Sequence, residues 1–373
     1  MNRYLAIDFY RGMTIVFMII VNTPGTGDFV FAPLQHAIWN GCTPTDLVFP
    51  SFMYIIGVSM WFAFARFERK WSAAIGLKIL RRTALLFVIG LILNNFPFVW
   101  QHWDTWRIMG VPQRLALGYG LASILVLNVN TRSLIWISGS ILLAYWGILY
   151  AFAAPGMDPL GAEGSAILRL DRWLFGLAHL YHEQVAPGYR IAFDPEGVLS
   201  TLPSIVTVVL GWLSGGVLTS RGDKKDQAVR DLLVFGLICG FVGLFWDLFF
   251  PINKKIWSSS YVLYAGGISM VLFGMTVWLL DVRRWWNGSG FFISIGTNSL
   301  FAYVLSEALV MIMYVIDVPM GVKNVNLKDW IYLNWFKPID GAEIGSFLFA
   351  LVYMLVCWGV CRILYARKIF IKL

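Results

Sequence analysis

Apolar residues in this chain run in long uninterrupted blocks separated by polar stretches. Ten blocks are long enough to cross a bilayer core. They lie at approximately 5–21, 47–67, 75–96, 111–128, 134–152, 199–219, 232–250, 257–280, 291–316 and 345–364. Each predicts a helix, because a segment in hydrocarbon must satisfy its own backbone hydrogen bonds. Two of the intervals between blocks are long. Residues 153–198 mix Pro, Gly and charge with the apolar piece 173–180 and read as an interfacial lid or an extra short helix; 317–343 is the second. No soluble domain is inserted, so 1–373 reads as a single transmembrane domain. The expected fold class is all-α, a polytopic membrane helix bundle of about ten transmembrane helices. No internal repeat is visible, which weighs against an inverted-repeat transporter. The first block lacks a cleavable signal pattern and is expected to be retained.

Composition agrees with this pattern. The chain is 58% hydrophobic and 13% charged, with a mean hydropathy of +0.69, where a soluble domain carries about 25% charged residues. The 18 Trp suit interfacial belts. A net charge of +8 needs no nucleic acid, because cationic cytoplasmic loops explain it. Cys42, Cys239, Cys357 and Cys361 lie in or beside apolar blocks without metal-ligand spacing and read as small hydrophobes, so no metal is expected.

Charge also sets an orientation. Alternate connecting segments carry Arg66, Arg69, Lys70, Lys78, Arg81, Arg82, Arg132, Arg221, Lys224, Lys225, Arg230, Arg283 and Arg284, and the tail adds Arg367, Lys368 and Lys372. The opposite set is sparser, with no basic residue between Pro24 and Asp46. The basic-rich set is therefore expected inside, with both termini cytoplasmic.

The segment 22–52 stands apart. Its Gly, Pro and Thr residues forbid one continuous helix, and a bent polar stretch between spans lines a cavity, because unpaired backbone is not tolerated against lipid. It holds Asn22, His36 and Asp46. His36 reads either as a hydrogen-bonded structural residue or as a base, and Asp46, at the start of a span, needs a donor. Asn22 caps a helix end or joins the same site. His102 looks interfacial, and His179 and His182 sit in the long outer interval.

Further polar residues allow both anchoring and ligand-binding readings. Asp8 and Arg11 share a helix face and can pair as an interfacial anchor. Arg114, next to Gln113 at the mouth of the fourth block, needs a carboxylate, water or an anionic ligand. Glu196, in DPEG, belongs to a turn or acidic helix start. Asn253, Lys254 and Trp257 share an outer turn, PINKKIWSSSY. Asn298 lies within a span and needs a partner. Lys78, Arg81 and Arg82 either enforce topology or hold the phosphates of a nucleotide-bearing cofactor.

Seven stretches add a resemblance. They are LAIDFYRGMTIVFMIIVN, LQHAIWNGCTPTDLVFPSFMYIIGVS, RRTALLFVIGLILN, RIMGVPQRLALGY, DPEGVLSTLPSIVTVVLG, PINKKIWSSSYVL and GTNSLFAYVLSE. Together, over nearly the whole chain, they resemble the membrane part of the heparan-α-glucosaminide N-acetyltransferase family and its bacterial NagX-type relatives. The resemblance implies transfer of an acetyl group from cytosolic acetyl-CoA to the amino group of a glucosamine-type sugar on the far side of the membrane. Carried over by motif, the family's active-site His falls on His36, its partner Asn on Asn22 and its acidic residue on Asp46. Thr23-Pro24-Gly25-Thr26-Gly27 stands where the lysosomal enzyme is Gly-rich. No counterpart of that enzyme's N-terminal luminal portion is visible, which implies a bacterial inner-membrane protein.

On this reading the cofactor-binding set is Lys78, Arg81, Arg82 and Asn298, and the substrate-binding set is Arg114, Glu196, Lys254 and Trp257. His36 acts as base with Asp46 orienting it, and Asn22 donates to the oxyanion. Alternatively, His36 itself carries the acetyl group between two half-reactions. Expected partners are the amino sugar or a glucosamine-terminated saccharide, the bilayer and, as an option, a second copy of the chain. An amino-sugar transporter and an envelope polysaccharide O-acyltransferase are the competing functions.

Overall fold

The computed structural model describes residues 4–99, 102–321 and 323–371. Lys372, counted above with the basic tail, lies outside them. The long helices are α1 (Leu5–Asn22), α2 (Val48–Ala63), α3 (Ala73–Asn95), α4 (Val111–Asn128) and α5 (Thr131–Ala151). A short helix α6 (Ala166–Phe175) and a hairpin, β1 (His182–Ala186) with β2 (Tyr189–Ala192), follow. Then come α7 (Thr201–Ser220), α8 (Lys225–Asp247), α9 (Ser259–Val277), α10 (Ser289–Gly296) and α11 (Ser299–Val315). A second hairpin, β3 (Asp317–Met320) with β4 (Lys323–Asn326), leads through α12 (Leu327–Ile331) to α13 (Ala342–Ala366).

Seven helical segments are long and apolar enough to cross a membrane, and α10 with α11, bent by 80°, makes an eighth if the pair is one span. All ten predicted blocks are helical, so the count of about ten is neither met nor excluded by this criterion. The two remaining long helices are the polar ones: α3 carries Lys78, Arg81 and Arg82, and α4 opens with Gln113 and Arg114. The all-α expectation holds, with two short antiparallel hairpins added in the two long intervals. Each turns at a left-handed glycine, Gly188 (φ +72°) or Gly321 (φ +66°), a conformation that suits a residue without Cβ.

Helix α7 is the most enclosed of the candidate spans. It crosses α2 so closely that a Cβ on Gly57 would stand 1.9 Å from Val208 O, and one on Gly211 would stand 1.9 Å from Tyr54 O. Small residues at such crossings let backbones touch, the usual means of helix association in lipid. A second cluster joins α1, α11 and α13 through Ile15, Ile19, Val310, Phe349 and Tyr353.

The chain's two sets of connections gather at opposite ends of this bundle. At one end Leu5 N and Ala6 N donate to Asp281 (3.3 and 3.1 Å), and Trp71 N donates to Leu127 O (3.3 Å). At the other, Gly41 N donates to Ile252 O (2.7 Å), Trp39 Nε1 to Leu160 O (3.1 Å) and Gly25 N to Ser346 O (3.1 Å). The second end is the basic-poor one, which the charge pattern leads us to expect outside.

Candidate active site

The segment between α1 and α2 is irregular, broken by short tight turns at Ala32–Leu34 and Pro44–Leu47. Proline at the start of each turn presets its backbone. The second turn brings Asp46 back onto the preceding chain. Asp46 Oδ2 accepts from Ala37 N (3.1 Å), Thr43 N (3.0 Å) and Thr43 Oγ1 (3.0 Å). Its other oxygen faces His36 Nδ1 at 2.6 Å. Asp46 is 1% exposed, while the His36 side chain keeps 47% of its surface open. An acceptor so close fixes the proton on Nδ1 and leaves Nε2 with a free lone pair.

Lys254 approaches the same pair, with Nζ 3.1 Å from His36 Nδ1 and 3.4 Å from Asp46 Oδ1. Both Nζ and the protonated Nδ1 are donors, so the ammonium pairs with the carboxylate and presses electrostatically on the ring. Desolvation among the surrounding groups, and then this ammonium, hold the His36 pKa below the usual imidazole range, against the opposing pull of Asp46. The turn carrying Lys254 is well anchored. Asn253 Nδ2 donates to Asn40 Oδ1 (3.1 Å), and Lys255 Nζ donates to Ile38 O (2.7 Å) and Glu183 Oε1 (2.9 Å). Tyr261, at the start of α9, donates its hydroxyl to Asp46 O (2.6 Å).

The other expected residues distribute as follows. Glu196 accepts from Arg107 Nη2 (2.8 Å), and the same guanidinium takes both oxygens of Asp194 (2.9 Å each). Glu196 thus enters a buried ion cluster beside the site. Arg114 is fully buried, donating to Gly197 O (3.2 Å) and to Ser200 Oγ, with its guanidinium 4.9 Å from the Trp257 ring centre. Trp257 is 1% exposed and packs on Phe49 and Tyr261. Arg114 and Trp257 therefore lie buried in the wall beside the turn that carries Lys254. Asn22 makes no hydrogen bond to His36, Asp46 or Lys254 among the described residues.

The expected cofactor set also divides. Lys78 and Arg81 are exposed near one end of α3. Lys78 Nζ lies 4.9 Å from the Phe67 ring centre, and Arg82 lies 4.7 Å from that of Tyr119, with its Nε buried and unpartnered. Such a guanidinium retains donor capacity for an anion. Asn298 does not join them. Its amide donates to Ile369 O (3.0 Å) and accepts from Ile371 N (2.8 Å), so it is committed to the C-terminal tail at the α10–α11 bend.

Sequence reasoning does not single out Arg107, Lys255, Tyr261 or Glu307 as site residues. Tyr261 falls inside the quoted stretch PINKKIWSSSYVL and Glu307 closes GTNSLFAYVLSE, and that position is their only signal. His179 Nδ1 is occupied by Trp106 O at 2.7 Å and is structural.

A multi-pass helical membrane protein with a carboxylate-oriented histidine in the irregular segment between its first two long helices is the class that this fold and site define. Residues 3–163 match the family model described as heparan-alpha-glucosaminide N-acetyltransferase, catalytic. The heparan-alpha-glucosaminide N-acetyltransferase of Mus musculus is 32% identical over 359 residues, covering 83% of this chain and 54% of the relative. That of Homo sapiens is 31% identical over 357 residues, covering 82% and 53%. The chain belongs to the heparan-α-glucosaminide N-acetyltransferase family, and it spans about half the length of these curated relatives.

Proposed function

We propose that this protein is a transmembrane N-acetyltransferase that moves an acetyl group from acetyl-CoA to the amino group of a glucosamine-type sugar at the outer end of the bundle. The observation that carries this reading is the 2.6 Å His36–Asp46 contact, with the second Asp46 oxygen held by three donors, in a chain of this family.

Amine attack on a thioester needs a nitrogen lone pair, yet a sugar amine is mostly protonated near neutral pH. Neutral His36, with Nε2 free, takes the proton. The fixed Asp46 carboxylate stabilises the imidazolium that forms. Lys254 opposes that charge and favours an uncharged acceptor nitrogen beside the ring. The new C–N bond forms as the carbonyl becomes an oxyanion; collapse breaks the C–S bond, CoA leaves as thiolate to be protonated by the imidazolium, and the second proton of the acylated nitrogen passes to solvent. Direct transfer requires no acetyl-enzyme.

The donor is too large and charged to cross lipid, so its headgroup stays at the basic, cytoplasmic end while the pantetheine arm reaches outward. Both termini then lie in the cytoplasm of a bacterial cell whose inner membrane holds the protein. The test is incubation of purified protein with labelled acetyl-CoA and a panel of amino sugars. Formation of an alkali-stable amide product supports the reading; a base-labile ester or no transfer defeats it. Accumulation of acetyl-His36 without acceptor replaces direct transfer with the two-step route.

A further inference from the structure

Helix α6 has ten residues, roughly 15 Å of helix, and is too short to span a bilayer. Its side chains form two ridges. Ile167 and Asp171, four apart, are buried in the protein. Ile167 joins Phe193 and Ile256 in a core against which Trp39, three residues after His36, packs. The other ridge carries Arg169, Leu170 and Trp173, again at the spacing that stacks side chains on one helix face. It faces Ile148 and Phe152 of α5 across a cavity of about 440 Å³, the size of a small-molecule pocket. Apart from Arg169 the lining of this cavity is apolar.

The cavity lies where a span ends. Helix α5 is long and apolar enough to cross a membrane and is among the least enclosed of the candidate spans. Ala154 N donates to Gly164 O (2.9 Å), which brings α6 back beside the end of α5. Phe152 and Trp173 are both largely exposed there, as aromatic rings at a membrane–water interface are. Apolar surface this open at the end of a span meets lipid. Arg169 Nη1 donates to Phe152 O (2.8 Å) and Ala153 O (2.9 Å), so the guanidinium is fixed over the end of α5. Its Nε and Nη2 have no hydrogen-bond partner among the described residues. Arg172, three positions further on α6, is exposed. Neither arginine forms an ion pair among the described residues. An apolar cavity beside two unpaired guanidiniums matches an acyl chain joined to a phosphate. No step at His36 uses this cavity.

We propose that the cavity between α5 and α6 binds an anionic phospholipid, with an acyl chain between the two helices and the phosphate at Arg169 and Arg172. The site is separate from the acetyl-transfer chemistry and does not depend on that reading. The purified full-length protein, stripped of lipid in detergent, is titrated with phosphatidylglycerol, phosphatidylcholine and glycerol phosphate. Bound molecules are counted by native mass spectrometry, and folding is followed by circular dichroism. Phosphatidylglycerol should bind at least roughly fivefold more tightly than phosphatidylcholine, the worth of one arginine at an anionic lipid surface. Glycerol phosphate, which has the charge but no chain, should not bind. Arg169→Gln should weaken phosphatidylglycerol roughly fivefold, and Leu170→Trp, which fills the cavity, should weaken both lipids. Where Leu170→Trp does not fold, Ile148→Trp fills the same cavity from α5. Equal affinity for the two lipids would make this ordinary surrounding lipid and overturn the proposal. Glycerol phosphate binding as tightly as phosphatidylglycerol, or phosphatidylglycerol binding unchanged in either folded variant, overturns it as well.

Discussion

His36 and Asp46 are legible as a pair because one short segment carries both and because a carboxylate at a span's edge needs a donor. Arg107 is not, since its partner Asp194 lies 87 positions away and only the packed helices bring them together. The pair makes two predictions. His36→Ala should lower kcat by roughly 10²–10⁴, the usual range for a general base, in protein that still folds and binds CoA. Asp46→Asn should lower it less if the carboxylate only orients the ring. Substantial turnover in folded His36→Ala protein would remove His36 from the chemistry. The second prediction concerns pH. A base works in its deprotonated form, so kcat/KM should rise with pH through the His36 pKa and level off. That pKa lies below 6.5, with Lys254 as one cause, so the acid limb should fall below the ordinary imidazole value. Lys254→Gln removes the neighbouring ammonium and should move that limb to higher pH. A limb that stays in place would show that Lys254 does not act through His36.

At the scale of elements, the spans are readable from apolar runs, and the long excursions between them are not. Helix α6 and the β1–β2 hairpin lie in an interval whose Pro, Gly and charged residues signal only a break, and their form is set by docking. Asp171 of α6 shows how. It is 1% exposed, its Oδ1 accepts from Val198 N (3.0 Å), and its Oδ2 is buried with no hydrogen-bond partner. Burial pushes its pKa up from 3.8 to about 7. The folded state therefore holds a proton that the unfolded chain has lost between those two values. Because the unfolded state then binds fewer protons, stability falls as pH rises through this window and stays lower above it. Asp171→Asn cannot ionise. Its thermal midpoint relative to wild type should therefore rise between pH 5 and pH 8. The gain should be equivalent to a few kcal/mol at most, because each tenfold change in proton affinity is worth about 1.4 kcal/mol. A constant difference across that range would mean that Asp171 is charged at both pH values in the folded protein.

The whole molecule joins two ends that the sequence separates by charge alone. Basic residues near one end of each helix pair sort the connections into the two groups that the fold gathers, while the count of spans exceeds the apolar criterion because α3 and α4 bring charge into the bundle. If the basic end is cytoplasmic, a cysteine at Lys225 should be labelled only from inside; labelling from outside would invert the topology. The same charges frame the donor site. The 3′-phosphate and diphosphate of CoA cannot lie unpaired in a bilayer interior, and Arg forms bidentate contacts with phosphate. Arg82 keeps a buried Nε without a partner, beside exposed Arg81 and Lys78. A cluster that only enforces topology has finished its work once the protein is inserted, so binding to detergent-solubilised variants isolates the ligand role. Neutralising Arg81 and Arg82 together should weaken acetyl-CoA and CoA much more than dephospho-CoA if they hold the 3′-phosphate. Equal losses for all three ligands would place them on the diphosphate, and undiminished binding of all three would leave the cluster as a topology signal and move the headgroup elsewhere.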